Sequence, residues 1–423
     1  KIWRKNGIAM TEFDMKYSAL RQSIIEEDFA ALNDKQREAV FCTEGPLLLL
    51  AGAGSGKTTV LINRIINLLK YGRGYEDPCA PPGATDVDLK AMAAYLADPQ
   101  PDVPEHIVDL CAVDVPRPWE IIAITFTNKA AGELKERLEA ACGPVAEDIW
   151  AQTFHSACIR ILRRYGDRVG YGQSFTIYDE DDKKKMMGEV LKDLNYDEKK
   201  FDLRSIAGEI SRAKDRLEGP ARYLELAGTD YYKKSIGKIY EAYQSRMQAA
   251  NALDFDDIIM QTVRLLQTCD EAREYYQRKF RYVLVDEYQD TNHAQYVLCS
   301  LLAGGYGNIC VVGDDDQSIY KFRGATIANI LEFEKQYEHA RTIRLEQNYR
   351  STTNILTAAN EVIAHNSARK GKTLWTENGD GEKISYFCGE NQDEEGQYIA
   401  SEILKAYGKG AKFSDFAVLY RNH

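Results

Sequence analysis

The run AGAGSGKTT (51–59) puts three glycines, a lysine and two threonines into nine positions. Glycines at 52, 54 and 56 let backbone N–H groups approach and wrap a phosphate. Gly54, Ser55, Gly56 and Thr59 are therefore candidate nucleotide contacts. Lys57 has the reach for β- and γ-phosphates, and the Thr58 hydroxyl suits Mg²⁺. The strict phosphate-loop pattern has glycine where Ala51 stands. A second run, LVDEYQD (284–290), ends an apolar stretch on paired acids. A phosphate loop needs one carboxylate for the metal and another group to orient water. Asp286 suits the first task and Glu287 the second. Together the two runs read as a nucleoside triphosphatase site. On these alone, kinase, transporter, clamp loader and helicase all remain open.

Such residues need a rigid frame. PLLLLAGAG (46–54), IIAITFTN (121–128), YVLVDEYQD (282–290) and NICVVGDDD (308–316) read as buried strands that end in polar residues. That is the parallel-sheet pattern, with function at the strands' carboxyl ends. KTTVLINRIINLLK (57–70) reads as a helix behind the phosphate loop, its N-terminus adding partial positive charge. Residues 72–118 hold eight of the eleven prolines, with nine acids against three Lys or Arg. They read as a surface insertion, partly ordered at most, with no part in nucleotide or DNA binding. Residues 179–250 are helical in pattern, without a buried-strand signal. The fold class is thus α/β: a phosphate-loop parallel-sheet domain over 1–178 and 251–345, a helical insertion at 179–250, and the start of a second α/β unit at 346–423. In that unit KISYFCG and FAVLY read as strands.

Five further runs stand in order along the chain: LNDKQREAV (32–40), ITFTNKAAGELKERL (124–138), TFHSACIRILRRYG (153–166), LDFDDII (253–259) and QNYRSTTNIL (347–356). With the two phosphate runs and VVGDDDQSIYKFRGA (311–325), this set resembles the UvrD/Rep/PcrA-like branch of superfamily 1 DNA helicases. The resemblance leaves out only 1–30 and 72–118. It implies two RecA-like domains, ATP and Mg²⁺ as cofactors, and single-stranded DNA and duplex junctions as partners. It implies that Gln36 reads the adenine edge, Tyr349 stacks on adenine, Gln317 senses the γ-phosphate and Arg350 reaches that phosphate from the second domain. Phe126, Tyr320, Phe322 and Arg323 would line the DNA groove, with Asn128, Thr153, His155, Phe255 and Arg421 as further DNA candidates. The family usually has tryptophan where Phe322 stands. Aromatic stacking suits a motor on arbitrary DNA, because every base has a π-face. Taken alone, His155 reads as a structural histidine, and Phe255 as either a DNA contact or packing. Arg160, Arg163 and Arg164 read as a solvated basic face, and Lys183–Lys185 as solvated surface.

A net charge of −11 gives no global attraction to nucleic acid, though a local groove is compatible with it. Nine scattered cysteines without a CxxC pair argue against a zinc site and a disulfide framework. With no apolar run near bilayer length and no h-region, a cytoplasmic setting is expected. In the family a second insertion and two more motifs should follow FAVLYRNH. The sequence therefore reads as an N-terminal part, expected to hydrolyse ATP slowly. A helicase–nuclease subunit and a nucleotide-gated DNA-binding module are the alternatives.

Overall fold

Side chains alternate between the two faces of a strand, and here both faces are apolar. The computed structural model describes residues 4–5, 8–197, 200–320, 324–366 and 369–420. Six parallel strands form one sheet: β1 (Leu47–Ala51), β2 (Ile121–Thr125), β3 (Trp150–Thr153), β4 (Tyr282–Val285), β5 (Ile309–Gly313) and β6 (Arg341–Leu345), in the spatial order β6-β1-β5-β4-β2-β3. Leu47, Leu49, Ala123, Leu284 and Val312 face one helical layer, and Leu48, Leu50, Ile122, Val283 and Val311 face the other. Every residue of the strands β1, β2, β4 and β5 is buried. This is the continuous apolar reading expected of a sheet covered on both sides.

The helices between Glu180 and Ala249 enclose a core of their own, built on Met187, Leu191, Ile206, Ile210, Tyr240 and Tyr243. This insertion joins the sheet domain through a short parallel pairing of Thr176–Ile177 with Ala252–Leu253.

Residues 72–118 correct the expectation of a surface loop. They contain the helices Asp86–Ala97 and Glu105–Cys111. Met92, Tyr95, Val103, Ile107 and Cys111 join the same apolar layer as Tyr17, Ile24 and Leu68. The Tyr17 hydroxyl donates to the Leu110 carbonyl at 2.8 Å, and the buried Arg21 guanidinium donates to the carbonyls of Asp77 and Cys79. Proline punctuates these helices without preventing them, because it stands at their boundaries.

β6, within the bounds expected of the first domain, is the edge strand of its sheet, paired in register with β1 from Arg341↔Leu47 to Leu345↔Ala51. The second α/β unit differs from expectation in its strands. KISYFCG and the described part of FAVLYRNH form no strand. A strand needs a neighbouring strand to pair with, and among the described residues no strand pairs with these segments. The helices Thr353–Ile363 and Gln392–Tyr407 do form. All nine cysteines are free. Among the described residues no helix is long and apolar enough to cross a membrane.

Candidate nucleotide site and DNA-facing segment

The phosphate loop leaves β1 and enters the helix Lys57–Tyr71. Gly54 and Gly56 have φ of +66° and +82°, which a side chain would strain. A Cβ at Gly54 would lie 2.7 Å from Asn348 Nδ2, and one at Gly56 2.8 Å from Gln36 Nε2. The loop is thus a bare backbone cradle, shaped for a phosphate. Lys57 Nζ lies 3.1 Å from Glu287 Oε2. Glu287 holds a left-handed φ of +48°, a conformation that costs free energy for a non-glycine residue and recurs at functional sites. Its backbone N–H donates to Asp286 Oδ1 at 2.9 Å. Burial, and then the Glu287 charge, push the Asp286 carboxyl up to about 6. A buried carboxylate in that state is suited to a cation, and the Thr58 hydroxyl and Asp286 carboxylate are hard oxygen donors of the kind Mg²⁺ takes.

The turn after β6 lies on this cradle. Gly52 N–H donates to the Leu345 carbonyl at 3.1 Å, and Tyr349 N–H to the Gly54 carbonyl at 2.9 Å. Asn348 Nδ2 donates to the Ala53 carbonyl at 2.6 Å, while its Oδ1 accepts the backbone N–H groups of Arg350 and Ser351. Tyr349 and Arg350 are therefore rooted on the first sheet and exposed beside the loop. The resemblance had Arg350 reaching over from a separate domain. Asn348 was missed, although asparagine between Gln347 and Tyr349 is a turn signal.

Gln36 sits under the loop, its amide engaged at both ends. Oε1 accepts the Asn33 N–H at 3.1 Å, and Nε2 donates to the Ser55 carbonyl at 3.1 Å. Each end keeps one further bonding position, an N–H on Nε2 and a lone pair on Oε1. Tyr349, half exposed, receives Asn33 Nδ2 on its hydroxyl at 2.7 Å.

Gln317 Nε2 donates to Asp314 Oδ2 at 2.5 Å, at the carboxyl end of β5. Beyond it, the Tyr320 backbone N–H bonds the Asp290 carboxylate, and the Ser318 hydroxyl donates to the Gln289 carbonyl at 3.3 Å. The Tyr320 ring is 39% exposed. Phe322, Arg323 and Arg421 lie outside the described residues.

Phe255 is also exposed, and His155 packs edge-on against it with ring centroids 5.4 Å apart. Burial, opposed by nearby Asp256, holds the His155 imidazole below its ordinary value. Phe126 is half buried, edge-on to Phe154 at 5.3 Å. Asn128 begins the helix Asn128–Cys142 and is exposed. Thr153 is buried, and its hydroxyl caps the helix Phe154–Tyr165 by accepting the Ser156 N–H. That bond uses a lone pair of the hydroxyl oxygen, which also lies 3.0 Å from Ser156 Oγ.

Arg160 and Arg164 are exposed and Arg163 half buried, in keeping with a solvated face. Arg160, Arg163 and Arg164 also lie over Trp150, Phe175 and Tyr275 at 4.0, 3.8 and 4.1 Å, a stabilising arrangement. In the other basic run Lys184 and Lys185 are exposed, but Lys183 corrects the expectation: it is buried and bonds Asp256 at 3.0 Å.

A parallel sheet with a phosphate loop on β1 and paired acids after β4 defines a P-loop protein with a RecA-like domain. The chain matches the UvrD/REP helicase N-terminal domain over 32–77 and 104–338. It matches the UvrD-like helicase C-terminal domain over 343–423. It therefore belongs to the UvrD/Rep helicase family. The family model skips 78–103, so the extra segment is shorter than 72–118. The chain is 49% identical over 395 residues to the ATP-dependent DNA helicase PcrA of Bacillus subtilis (strain 168), covering 93% of this chain and 48% of that protein. It is 48% identical over 392 residues to the PcrA of Staphylococcus aureus (strain Mu50 / ATCC 700699), with the same coverage. The chain thus spans about half the length of the curated relatives it matches.

Proposed function

We propose that this chain is the nucleotide-binding and DNA-gripping engine of an ATP-dependent DNA helicase that moves 3′ to 5′ along single-stranded DNA. One observation carries the reading. The acidic loop after β4 bonds both the phosphate-loop lysine, through Glu287, and the segment leading to Tyr320, through the Gln289 carbonyl and the Ser318 hydroxyl. A change at the phosphates thus has a bonded route to a ring exposed to solvent.

The roles follow from chemistry. Lys57 neutralises β- and γ-phosphate charge, and the glycine loop offers backbone N–H groups. Mg²⁺, held by Thr58 and Asp286, supplies further neutralisation when bound. Glu287 orients a water and takes its proton. Arg350 stabilises transition-state charge, a contribution worth about 10³–10⁵ in rate where an arginine finger acts. Gln317 follows the γ-phosphate. Tyr349 stacks on adenine, with Gln36 beneath it. Tyr320, Phe126 and Phe255, with Phe322 and Arg323, form the sequence-tolerant DNA surface. The polarity rests on the family resemblance, and a soluble cytoplasmic setting accords with it.

ATPase assays of the full-length protein with and without single-stranded DNA test this. DNA should stimulate turnover, Lys57→Ala should abolish ATP binding, and Glu287→Gln should retain binding with turnover reduced at least a hundredfold. Normal turnover in Glu287→Gln would overturn the assignment. ATP-dependent DNA binding without hydrolysis would point to a nucleotide-gated binding module.

A further inference from the structure

Asp314, Asp315 and Asp316 hold their carboxylate oxygens within 4.8 Å of one another at the end of β5. Three like charges at that spacing, two of them buried, do not all ionise unaided. The chain supplies the cation. The Lys372 ammonium, with its side chain 2% exposed, lies 2.7 Å from Asp314 Oδ1 and 2.8 Å from Asp316 Oδ2, and it also bonds Asp315. Its neighbours reinforce the grip. Lys370 N–H donates to Asp315 Oδ2 at 2.7 Å. Arg369 Nη2 donates to Asp316 Oδ2 at 2.9 Å and to the Lys372 carbonyl at 2.7 Å. All three residues lie in the part matched by the C-terminal family model.

From Asp314, two bonds lead towards the nucleotide. Its Oδ2 receives the Gln317 amide. Its backbone N–H donates to Gln289 Oε1 at 2.9 Å, and Gln289 Nε2 donates to Glu287 Oε2 at 2.9 Å. That is the oxygen facing Lys57. Gln289 is buried, and Gly313 leaves the room it needs: a Cβ at 313 would lie 2.7 Å from Gln289 Oε1.

We propose that Lys372 is a positioning residue for ATP hydrolysis. By docking on the acidic triplet it fixes Asp314, which orients Gln317 directly and Glu287 through Gln289. Hydrolysis is then competent only while the segment 369–372 is seated. The physical reason is charge sharing. Asp314 divides its negative charge between Lys372 and the Gln317 amide, so Lys372 weakens the hold on Gln317 and frees it to turn to a γ-phosphate. Without the lysine, Asp314 grips the amide harder and the repelling carboxylates displace the backbone that Gln289 reads. This inference rests on the roles given above to Glu287 and Gln317.

The test measures DNA-stimulated ATPase of the full-length protein in Lys372→Met, Gln289→Met, the two combined, and Lys372→Met with Asp315→Asn. Each single variant should lower kcat tenfold or more, with KM for ATP within threefold, since the phosphate loop is untouched. The combined loss should fall short of the product of the single losses, as for residues acting through one chain. Asp315→Asn, which removes one negative charge along with the lost positive one, should restore at least a third of the rate. If Lys372→Met fails to fold, Gln289→Met decides alone. Unchanged kcat in folded Lys372→Met or in Gln289→Met overturns the proposal. Should Glu287→Gln abolish turnover while both of these work normally, only the positioning role fails. Should Glu287→Gln turn over normally, the underlying functional reading fails instead.

Discussion

Two places in this molecule bury a lysine against aspartates, and they serve different ends. At the root of the helical insertion, Lys214 is fully buried, 2.7 Å from Asp254 Oδ2 and 2.8 Å from Asp257 Oδ1. Against the burial that would raise it, Lys214 and Lys183 hold the Asp254 carboxyl well below its usual range. Its other bonds come from Lys183, Tyr243, Gln244 and the helix cap at Asp254. They tie the insertion to the helix Phe255–Thr268 and, through Gln244, to the Tyr171 hydroxyl. Around Lys372 the chemistry is the same, but Asp314 bonds onward: its carboxylate accepts the Gln317 amide, and its backbone N–H donates to Gln289, which donates to Glu287. A buried ion pair is thus weak evidence of function by itself. What its partners touch next decides whether it braces the fold or positions a reaction.

That contrast predicts its largest effect at the brace. Lys214→Met leaves two aspartates buried without their cation, a defect that typically costs about 3–5 kcal/mol. Urea unfolding should show a loss of that size. A loss below about 1 kcal/mol would mean that the cluster is not a brace.

On the exposed rings, Tyr320→Ala beyond the acidic loop and Phe255→Ala at the start of its helix should each weaken single-stranded DNA binding by about 1–3 kcal/mol, the worth of one stacked base. The loss should be similar for mixed sequences. Fluorescence anisotropy with two unrelated oligonucleotides checks this, and a strongly sequence-dependent loss would indicate base-edge recognition.

A smaller effect is expected beside the brace. Asp215 lies within reach of the charges of Asp256 and Lys183. It accepts Asn292 Nδ2 at 2.5 Å. Burial, then the Asp256 charge, raise its carboxyl to about 7. The folded chain thus holds this proton after the unfolded chain has lost it. Stability should fall as pH rises from about 4 to about 7, and the penalty should stay constant above that. Asp215→Asn keeps an acceptor for Asn292 and removes the penalty. It should be neutral at pH 4 and stabilising at pH 8 by about 1–2 kcal/mol, after discounting for partial solvent screening. Melting curves at the two pH values test the sign.

The same contrast explains what the sequence made legible. The phosphate loop, Asp286, Glu287 and the strands β1, β2, β4 and β5 could be read because their pattern is contiguous: a strand, then a turn, then polar residues. Lys183, Lys214 and Lys372 could not, because their aspartate partners lie far along the chain. Lys372 binds residues 56 to 58 positions before it. Nothing local distinguishes such a lysine from a solvated one. The helices at 86–97 and 105–111 were hidden for a related reason. They are short, flanked by prolines, and bury Met92 and Ile107 against Tyr17 and Ile24 from the chain's beginning. Gln289 lay in plain view inside DEYQD, but its role depends on Asp314, which only the sheet brings beside it.

The central claim is that one buried network joins the phosphates to a DNA-facing ring. Measuring single-stranded DNA affinity of the full-length protein with and without a non-hydrolysable ATP analogue tests it most directly. The account predicts at least a fivefold change in Kd on adding the analogue, reduced to less than twofold in Gln317→Ala with analogue binding retained. Equal DNA affinity in both nucleotide states, or full coupling in Gln317→Ala, would contradict it.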